Sequence, residues 1–297
     1  MAHTSVLLNE CIGSLSLREG MTIVDGTFGA GGHSRRIAEE IGLRGRLVSF
    51  DADLSVFTEE KLEDLARLTH FTPIVENFRN VAEALTKREV SSIDGALFDL
   101  GLSSTQLEES GRGFSFQRNE PLAMTFTHEP KEGDTTAAEI VMHWSEETLV
   151  TIFKGFGEER FARSIAKGIV AARKTAPITT TGELVEIIRI STPGWYHRGR
   201  THFATQTFQA LRMAVNDELG AIEAGIRGAL GHMAPGGRIA VISFHSIEDR
   251  AVKQLFRVLK EEGSVAFITK KPIIPSAAEL KANPRARSAK LRVVEKI

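Results

Sequence analysis

A short β-rich run, Thr22-Ile23-Val24-Asp25, leads directly into a glycine-rich turn, Gly26-Thr27-Phe28-Gly29-Ala30-Gly31-Gly32-His33, and then into a helical stretch from Ser34 to Ile41. Strand, glycine turn and helix in that order mark the place where an open α/β sheet binds a nucleotide-like ligand. Glycine lets the backbone come close to the ligand, and the start of the helix offers amides to an anionic group. Ser34 is expected to cap the helix. The alternation continues with strands at Arg46–Asp51, Phe71–Val75 and Asp94–Asp99, and an amphipathic helix at Glu59–Leu68. Strands alternating with helices predict a parallel sheet covered on both faces.

From about Thr105 to Thr205 the strand signal disappears. Helical stretches at Glu146–Phe153, Glu158–Arg173 and Gly182–Ile190 are separated by turn-rich segments. Afterwards α/β character returns: a long helical stretch from Gln206 to Met233, a buried strand at Gly237–Phe244, a helix at Ile247–Glu262, and late strands at Val265–Thr269 and Lys290–Val294. The expected organisation is one α/β sheet domain, residues 1–104 and 205–297, interrupted by a helical insert at 105–204.

The candidate site follows from the sheet. Asp51 stands at the tip of the second strand, where a carboxylate can grip the two hydroxyls of a ribose. Dinucleotides and S-adenosylmethionine both suit this geometry. The dinucleotide fingerprint wants a third glycine where this chain has Ser34, and an acid opening the turn, Asp25, suits a cationic sulfonium better than a pyrophosphate. Asp99 ends the fourth strand and is followed by Leu100-Gly101-Leu102-Ser103-Ser104-Thr105-Gln106. Asp99 and Gln106 are therefore candidates for the far end of the cofactor or for the acceptor. Phe78, after the third strand, suits either adenine stacking or the core.

Charge is unevenly distributed. Residues 1–150 carry 13 Lys and Arg against 25 Asp and Glu, whereas residues 151–297 carry 24 against 13. Residues 160–200 and 270–297 each hold eight basic against two acidic residues, the latter including Lys270, Lys271, Arg285, Arg287, Lys290 and Arg292. Basic stretches of this kind point to a polyanionic partner. With one cysteine, Cys11, no intramolecular disulfide can form, which fits a reducing cytosol. The first ten residues lack a signal-peptide core, and no apolar run is long enough to span a membrane. No His/Cys cluster has metal-ligand spacing, so no metal is expected.

Seven segments, taken together and in order, resemble one family. They are Gly29-Ala30-Gly31-Gly32-His33-Ser34; Asp99-Leu-Gly-Leu-Ser103-Ser104-Thr-Gln106; Arg112-Gly-Phe-Ser-Phe116; Gly157-Glu-Glu-Arg160; Phe208-Gln-Ala-Leu-Arg212 with Val215-Asn216; Ile242-Ser-Phe-His-Ser246 with Glu248-Asp-Arg250; and Asn283-Pro-Arg-Ala-Arg-Ser288. The family is the bacterial small-subunit ribosomal RNA (cytosine-N4)-methyltransferases of the H type, and the resemblance runs from His3 to Lys296. It implies a class I, Rossmann-like methyltransferase with an inserted helical substrate-recognition domain. It also implies S-adenosyl-L-methionine as cofactor and methylation of N4 of a decoding-site cytidine in 16S rRNA of the small ribosomal subunit. The family's cofactor contacts fall on Gly31, Gly32, His33, Asp51, Phe78, Asp99 and Gln106. A cytoplasmic enzyme is expected; oligomeric state stays open, a dimer included.

The chain departs from the family pattern in three places. Pro121-Leu-Ala-Met-Thr-Phe126 stands for Pro-Leu-Asp-Met-Arg-Met, His202-Phe-Ala-Thr-Gln-Thr207 for His-Pro-Ala-Thr-Arg-Thr, and Asp51-Ala-Asp-Leu54 for Asp-x-Asp-Pro. One acid and two arginines, at Ala123, Thr125 and Gln206, are thereby replaced, together with a proline at Phe203. The Asp-Pro-Pro-Tyr motif of DNA amino-methyltransferases is absent, and Asp99 with Ser103 and Ser104 occupies the corresponding strand end as candidate catalytic groups. His245 and Ser246 end another strand and suit either the acceptor pocket or a structural hydrogen bond. Two other readings share these features: a methyltransferase acting on another nucleic acid or a small molecule, and a non-catalytic RNA-binding assembly factor.

Overall fold

The computed structural model describes residues 5–102, 107, 110–127 and 134–297. The chain divides into two compact units, Met1–Gly101 with Leu219–Ile297, and Leu102–Glu218.

The first unit is built on a seven-stranded sheet: β1 (Thr22–Asp25), β2 (Arg46–Asp51), β3 (His70–Val75), β4 (Ile93–Asp99), β5 (Met233–Ser243), β6 (Val265–Phe267) and β7 (Lys290–Lys296). Their order across the sheet is β3-β2-β1-β4-β5-β7-β6. The first five positions are parallel and β7 is antiparallel to both of its neighbours. The strands are apolar almost throughout because both faces are covered. Alternate residues go to opposite sides: Val24, Val48, Phe50, Ala96, Phe98, Ile239 and Val241 join one core cluster. Ile23, Leu47, Leu97, Ala240 and Ile242 join the other. Helices α1 (Leu8–Leu15), α2 (Gly32–Ile41) and α3 (Glu59–Leu68) supply the second cluster with Leu15, Ile37 and Leu65. Helix α4 (Val81–Lys87) supplies the first cluster with Leu85.

The second unit is helical among its described residues: α5 (Ala137–His143), α6 (Glu146–Gly155), α7 (Ala162–Ala172), α8 (Thr181–Ser191) and α9 (Thr205–Asn216). Thr136 and Thr180 open α5 and α8 with capping boxes closed by Glu139 and Glu183, and the Ser145 side chain caps α6. Its core is separate and includes Leu149, Phe153, Ile165, Leu184, Phe208 and Leu211.

Three sequence expectations are corrected here. The helical stretch from Gln206 to Met233 is two helices, α9 and α10 (Glu218–His232), broken at Asp217 with φ 44°. Because Phe208, Ala210 and Leu211 of α9 are buried in the second unit's core, that unit runs to Glu218, beyond the expected 204. The basic stretches are also thinner than their charge suggests. Arg292 and Lys290 of β7 are paired with Asp249 of α11 (Ser246–Glu261), at 2.7 and 3.1 Å. Burial opposes ionisation of Asp249, yet hydrogen bonds from Arg292 and Lys290 hold it below its usual range. In the second unit Arg189 is paired with Glu186, and Arg173 donates to the Val141 and Trp144 carbonyls. These four cations have partners within the protein, although the Arg189–Glu186 pair is exposed. Lys270, Lys271, Arg285 and Arg287 are exposed.

Candidate active site at the strand tips

Three carboxylates, Asp51, Asp25 and Asp99, stand at the carboxyl ends of β2, β1 and β4, which are adjacent in the sheet. The turn after β1 is folded over this edge. Gly26 N–H donates to the Leu97 carbonyl, Phe28 N–H to the Phe50 carbonyl, and Gly31 N–H to the Phe28 carbonyl. A Cβ at Gly26 would fall on the Phe98 ring, so only glycine lets the turn lie this close to β4. Gly31 caps α2 with φ 86°, a left-handed conformation that glycine adopts without strain.

Ser34 does not cap α2, contrary to expectation. It lies one turn inside, where its hydroxyl donates to Asp25 Oδ2 at 2.6 Å and sits 2.8 Å from the Ser49 hydroxyl. Here a dinucleotide fingerprint would place a glycine, and the side chain present is used to satisfy a fully buried acid. Burial raises the Asp25 carboxyl, while hydrogen bonds from Ser34 and Thr27 pull it down. Ser34→Ala removes the only side-chain donor to Asp25 Oδ2 among the described residues. It is expected to destabilise the protein by about 1–3 kcal/mol, the range for an orphaned buried acceptor. An unchanged midpoint in urea unfolding would show that this network carries no stability.

Asp51 is tied to the turn. Its Oδ2 accepts from Gly29 N–H and its Oδ1 from Asp53 N–H, both at 2.9 Å. Burial pushes its carboxyl up to about 6, with the two amides working the other way. Asp99 is held by its backbone: its N–H donates to Thr27 Oγ1 at 2.6 Å. Its Oδ1 is buried and has no hydrogen-bond partner among the described residues. Burial pushes Asp99 up to about 8, and the neighbouring charges of Asp25 and Glu248 add to it. Asp25, Asp51 and Asp99 thus form a row of destabilised carboxylates, and a cation brought to it is strongly favoured.

The remaining expected residues are placed as follows. Gly31 and Gly32 form the junction of turn and helix. His33 is buried, and its Nε2–H donates to the Val6 carbonyl at 3.1 Å. Phe78 is half-buried on the core side, 5.4 Å from the Phe98 ring, with Gly225 of α10 packed against it. Ser103, Ser104 and Gln106 lie outside the described residues. His245 caps α11: its Nδ1 accepts from Glu248 N–H, and Glu248 Oε2 in turn accepts from His245 N–H and Phe244 N–H. Sequence reasoning missed Thr27, which joins two of the three acids. The signal was present, since Asp25 Oδ1 accepts from Thr27 N–H two residues on, an Asx turn readable from Asp-Gly-Thr.

The departures from the family pattern find local partners. Tyr196 donates its hydroxyl to the buried Glu159 carboxylate at 3.0 Å and sits 3.0 Å from Gln206 Oε1. Phe203 stacks on His202 at 4.3 Å. Thr125 is buried and donates to the Thr127 carbonyl. The Ala123–Phe126 segment is held by Asn216, which donates to the Met124 carbonyl and accepts from Phe126 N–H.

The chain is 42% identical to the ribosomal RNA small subunit methyltransferase H of Paenibacillus sp. (strain JDR-2), over 316 residues and 99% of each chain. Among solved structures, an rRNA methylase from Streptococcus thermophilus is similar at 11% identity, with a TM-score of 0.41 over 98% of this chain and 92% of that one. A SAM-dependent O-methyltransferase from Thermotoga maritima is similar at 10% identity, with a TM-score of 0.43 over 100% of this chain and 68% of that one. The sequence pattern of the MraW methylase family matches residues 1–297, and the chain belongs to that family.

Proposed function

We propose that this protein methylates the exocyclic N4 of a decoding-site cytidine in 16S rRNA, acting on the small ribosomal subunit with S-adenosylmethionine as donor. Its coarser identity, a methyltransferase of small-subunit ribosomal RNA, follows from the family and from the relative sharing 42% of its sequence. The observation that carries the chemistry is the row Asp51, Asp25, Asp99, with one buried Asp99 oxygen lacking a partner among the described residues. Buried charges of one sign are costly unless an opposite charge joins them. A sulfonium donor bearing an ammonium group is such a partner, and a pyrophosphate is not.

Gly31, Gly32, His33, Asp51, Phe78 and Gln106 are the residues that would hold the cofactor, with Asp51 on the ribose hydroxyls. When bound, the cofactor supplies a methyl group already activated by the positive sulfur. The protein's task is alignment and polarisation. The N4 lone pair of cytosine is delocalised into the ring, so the amino group is a poor nucleophile. Asp99 would accept a hydrogen bond from that amino group, turn its lone pair toward the methyl donor, and take the proton that the nitrogen gives up as its bond to the methyl forms and the methyl–sulfur bond breaks. Ser103, four residues further along the chain, is the second candidate. The Leu102–Glu218 unit serves RNA recognition in this reading, and the target base leaves its stack to reach the strand tips. A ribosomal substrate would place the enzyme in the cytoplasm. Among the described residues no helix is long and apolar enough to cross a membrane.

The test is methyl transfer to purified small subunits, free 16S rRNA and free cytidine, followed by mass spectrometry of the digested RNA. One added methyl on the decoding-site cytidine is expected. Cofactor binding with no methylated RNA would instead make the protein an assembly factor. Arg285 and Arg287, exposed on the turn Pro284–Ser288, are expected to contribute to RNA affinity. Arg285→Ala with Arg287→Ala should weaken subunit binding and flatten its salt dependence while sparing cofactor affinity. An unchanged salt slope would assign both arginines to structure.

A further inference from the structure

Trp195 is an exposed aromatic side chain, with 51% of its surface accessible. It precedes a short turn, Tyr196–Arg198, in the helical unit. The turn is anchored from beneath, because the Tyr196 hydroxyl donates to the carboxylate of Glu159, which is 2% exposed. Arg160, the next residue after Glu159, places its guanidinium carbon 5.1 Å from the Trp195 ring centre and 5.8 Å from the Phe161 ring centre. Phe161 meets Trp195 edge-on at 5.7 Å, and Trp195 meets Tyr196 edge-on at 6.1 Å. The guanidinium thus lies over one face of the indole, both side chains are exposed, and the turn that follows Trp195 is anchored by a hydrogen bond to a buried carboxylate. Close to them in sequence, Arg163, Lys167, Arg198 and Arg200 are exposed. Neither they nor Arg160 makes an ion pair among the described residues.

We infer that Arg160 and Trp195 form a stacking platform for an unpaired base of single-stranded RNA, with the cations close to them in sequence taking the flanking phosphates. The inference rests on the RNA-substrate reading above and assigns it a specific contact. Three features select this partner. Aromatic and guanidinium planes are the surfaces on which splayed-out bases stack. The unpaired positive charge matches a polyphosphate backbone. A base inside a duplex keeps both faces covered by its neighbours, so an exposed indole discriminates in favour of single strands. The anchored turn also removes part of the ordering cost that a mobile tryptophan would carry on binding.

The chain has two tryptophans, Trp144 and Trp195, so a Trp144→Phe background leaves Trp195 as the only indole reporter. The probe is a short single-stranded RNA oligonucleotide, compared with the same sequence in duplex form. Saturable quenching of Trp195 emission is expected with the single strand and not with the duplex. Trp195→Ala should weaken binding of the single strand and of small subunits by about tenfold, within the range for loss of one stacked base. Trp195→Phe should restore most of it. Arg160→Gln should weaken binding and lower the salt slope by about one phosphate contact. Cofactor affinity and the midpoint of unfolding should stay at wild-type values in each variant. Absence of quenching, equal quenching by the duplex, or wild-type RNA affinity in Trp195→Ala would overturn the platform. A fall in unfolding midpoint that tracks the lost RNA affinity would make Trp195 a structural cover instead. Wild-type methyl transfer to small subunits is measured in parallel. If transfer occurs while Trp195 is silent, only the platform fails; if Trp195 responds and no methyl is transferred, the catalytic reading fails alone.

Discussion

Asp51→Ala is expected to weaken S-adenosylmethionine binding by about a hundredfold or more. Two losses combine. A carboxylate bridging two ribose hydroxyls makes two charge-assisted hydrogen bonds, each worth roughly 1.5–3 kcal/mol, and about 1.4 kcal/mol is tenfold in affinity. Asp51 also accepts from Gly29 N–H, so the variant releases the glycine turn that forms the other wall of the site. Each carboxylate oxygen uses one acceptor position on a backbone amide and keeps another for a ligand. Asp51→Asn separates the two losses. One side-chain oxygen can still accept from an amide, so the turn stays in place, while the ribose loses its charged acceptor. Calorimetric titration of both variants is the measurement. Wild-type affinity in Asp51→Ala would remove Asp51 from the cofactor site.

The strands and the three acids at their tips were legible for one reason. A parallel strand buried on both faces reads as a short apolar run, and an acid that ends such a run stands out. Leu47-Val48-Ser49-Phe50 followed by Asp51, and Ala96-Leu97-Phe98 followed by Asp99, are of this kind. What stayed hidden depends on partners distant in sequence or on backbone conformation. Ser34 reads as a cap because serine favours that position, but the buried Asp25 nine residues earlier claims its hydroxyl. Asp217 sits inside a helix-period stretch, and although aspartate enters the left-handed region more readily than most residues, an acid there reads equally well as an exposed helical position. Lys290 and Arg292 count as free charge until the sheet brings β7 beside Asp249, more than forty residues away. The boundary of the insert was misplaced by the same kind of effect, since only packing reveals which core Phe208 and Leu211 join.

Asp99→Asn is expected to lower the saturated single-turnover rate by about a hundredfold or more, the range for loss of a positioned proton-accepting group, while cofactor affinity falls only a few-fold. Two roles meet at this side chain, and they separate kinetically. An acceptor for the target amino group acts in the transition state and shows in the rate; a countercharge for the sulfonium acts in the ground state and shows in binding. The pH dependence separates them further. Without ligand, burial and the charges of Asp25 and Glu248 set Asp99 at about 8, above its ordinary 3.8. The folded protein then holds the proton more tightly than the unfolded chain does. This group's contribution to stability is therefore greatest below about 4 and declines as pH rises toward 8. A cationic donor favours the ionised form, so S-adenosylmethionine affinity should rise by a similar few-fold as pH approaches 8 and level off above it. The thioether product, uncharged at sulfur, should show a shallower rise. Asn carries no charge to titrate, so Asp99→Asn should flatten the difference between donor and product. Calorimetry of both ligands between pH 6 and 9, as roughly bracketing that value, is read beside the single-turnover rate. Lost affinity with a wild-type saturated rate would leave Asp99 as a cofactor ligand alone and transfer the acceptor role to another group at the strand tips.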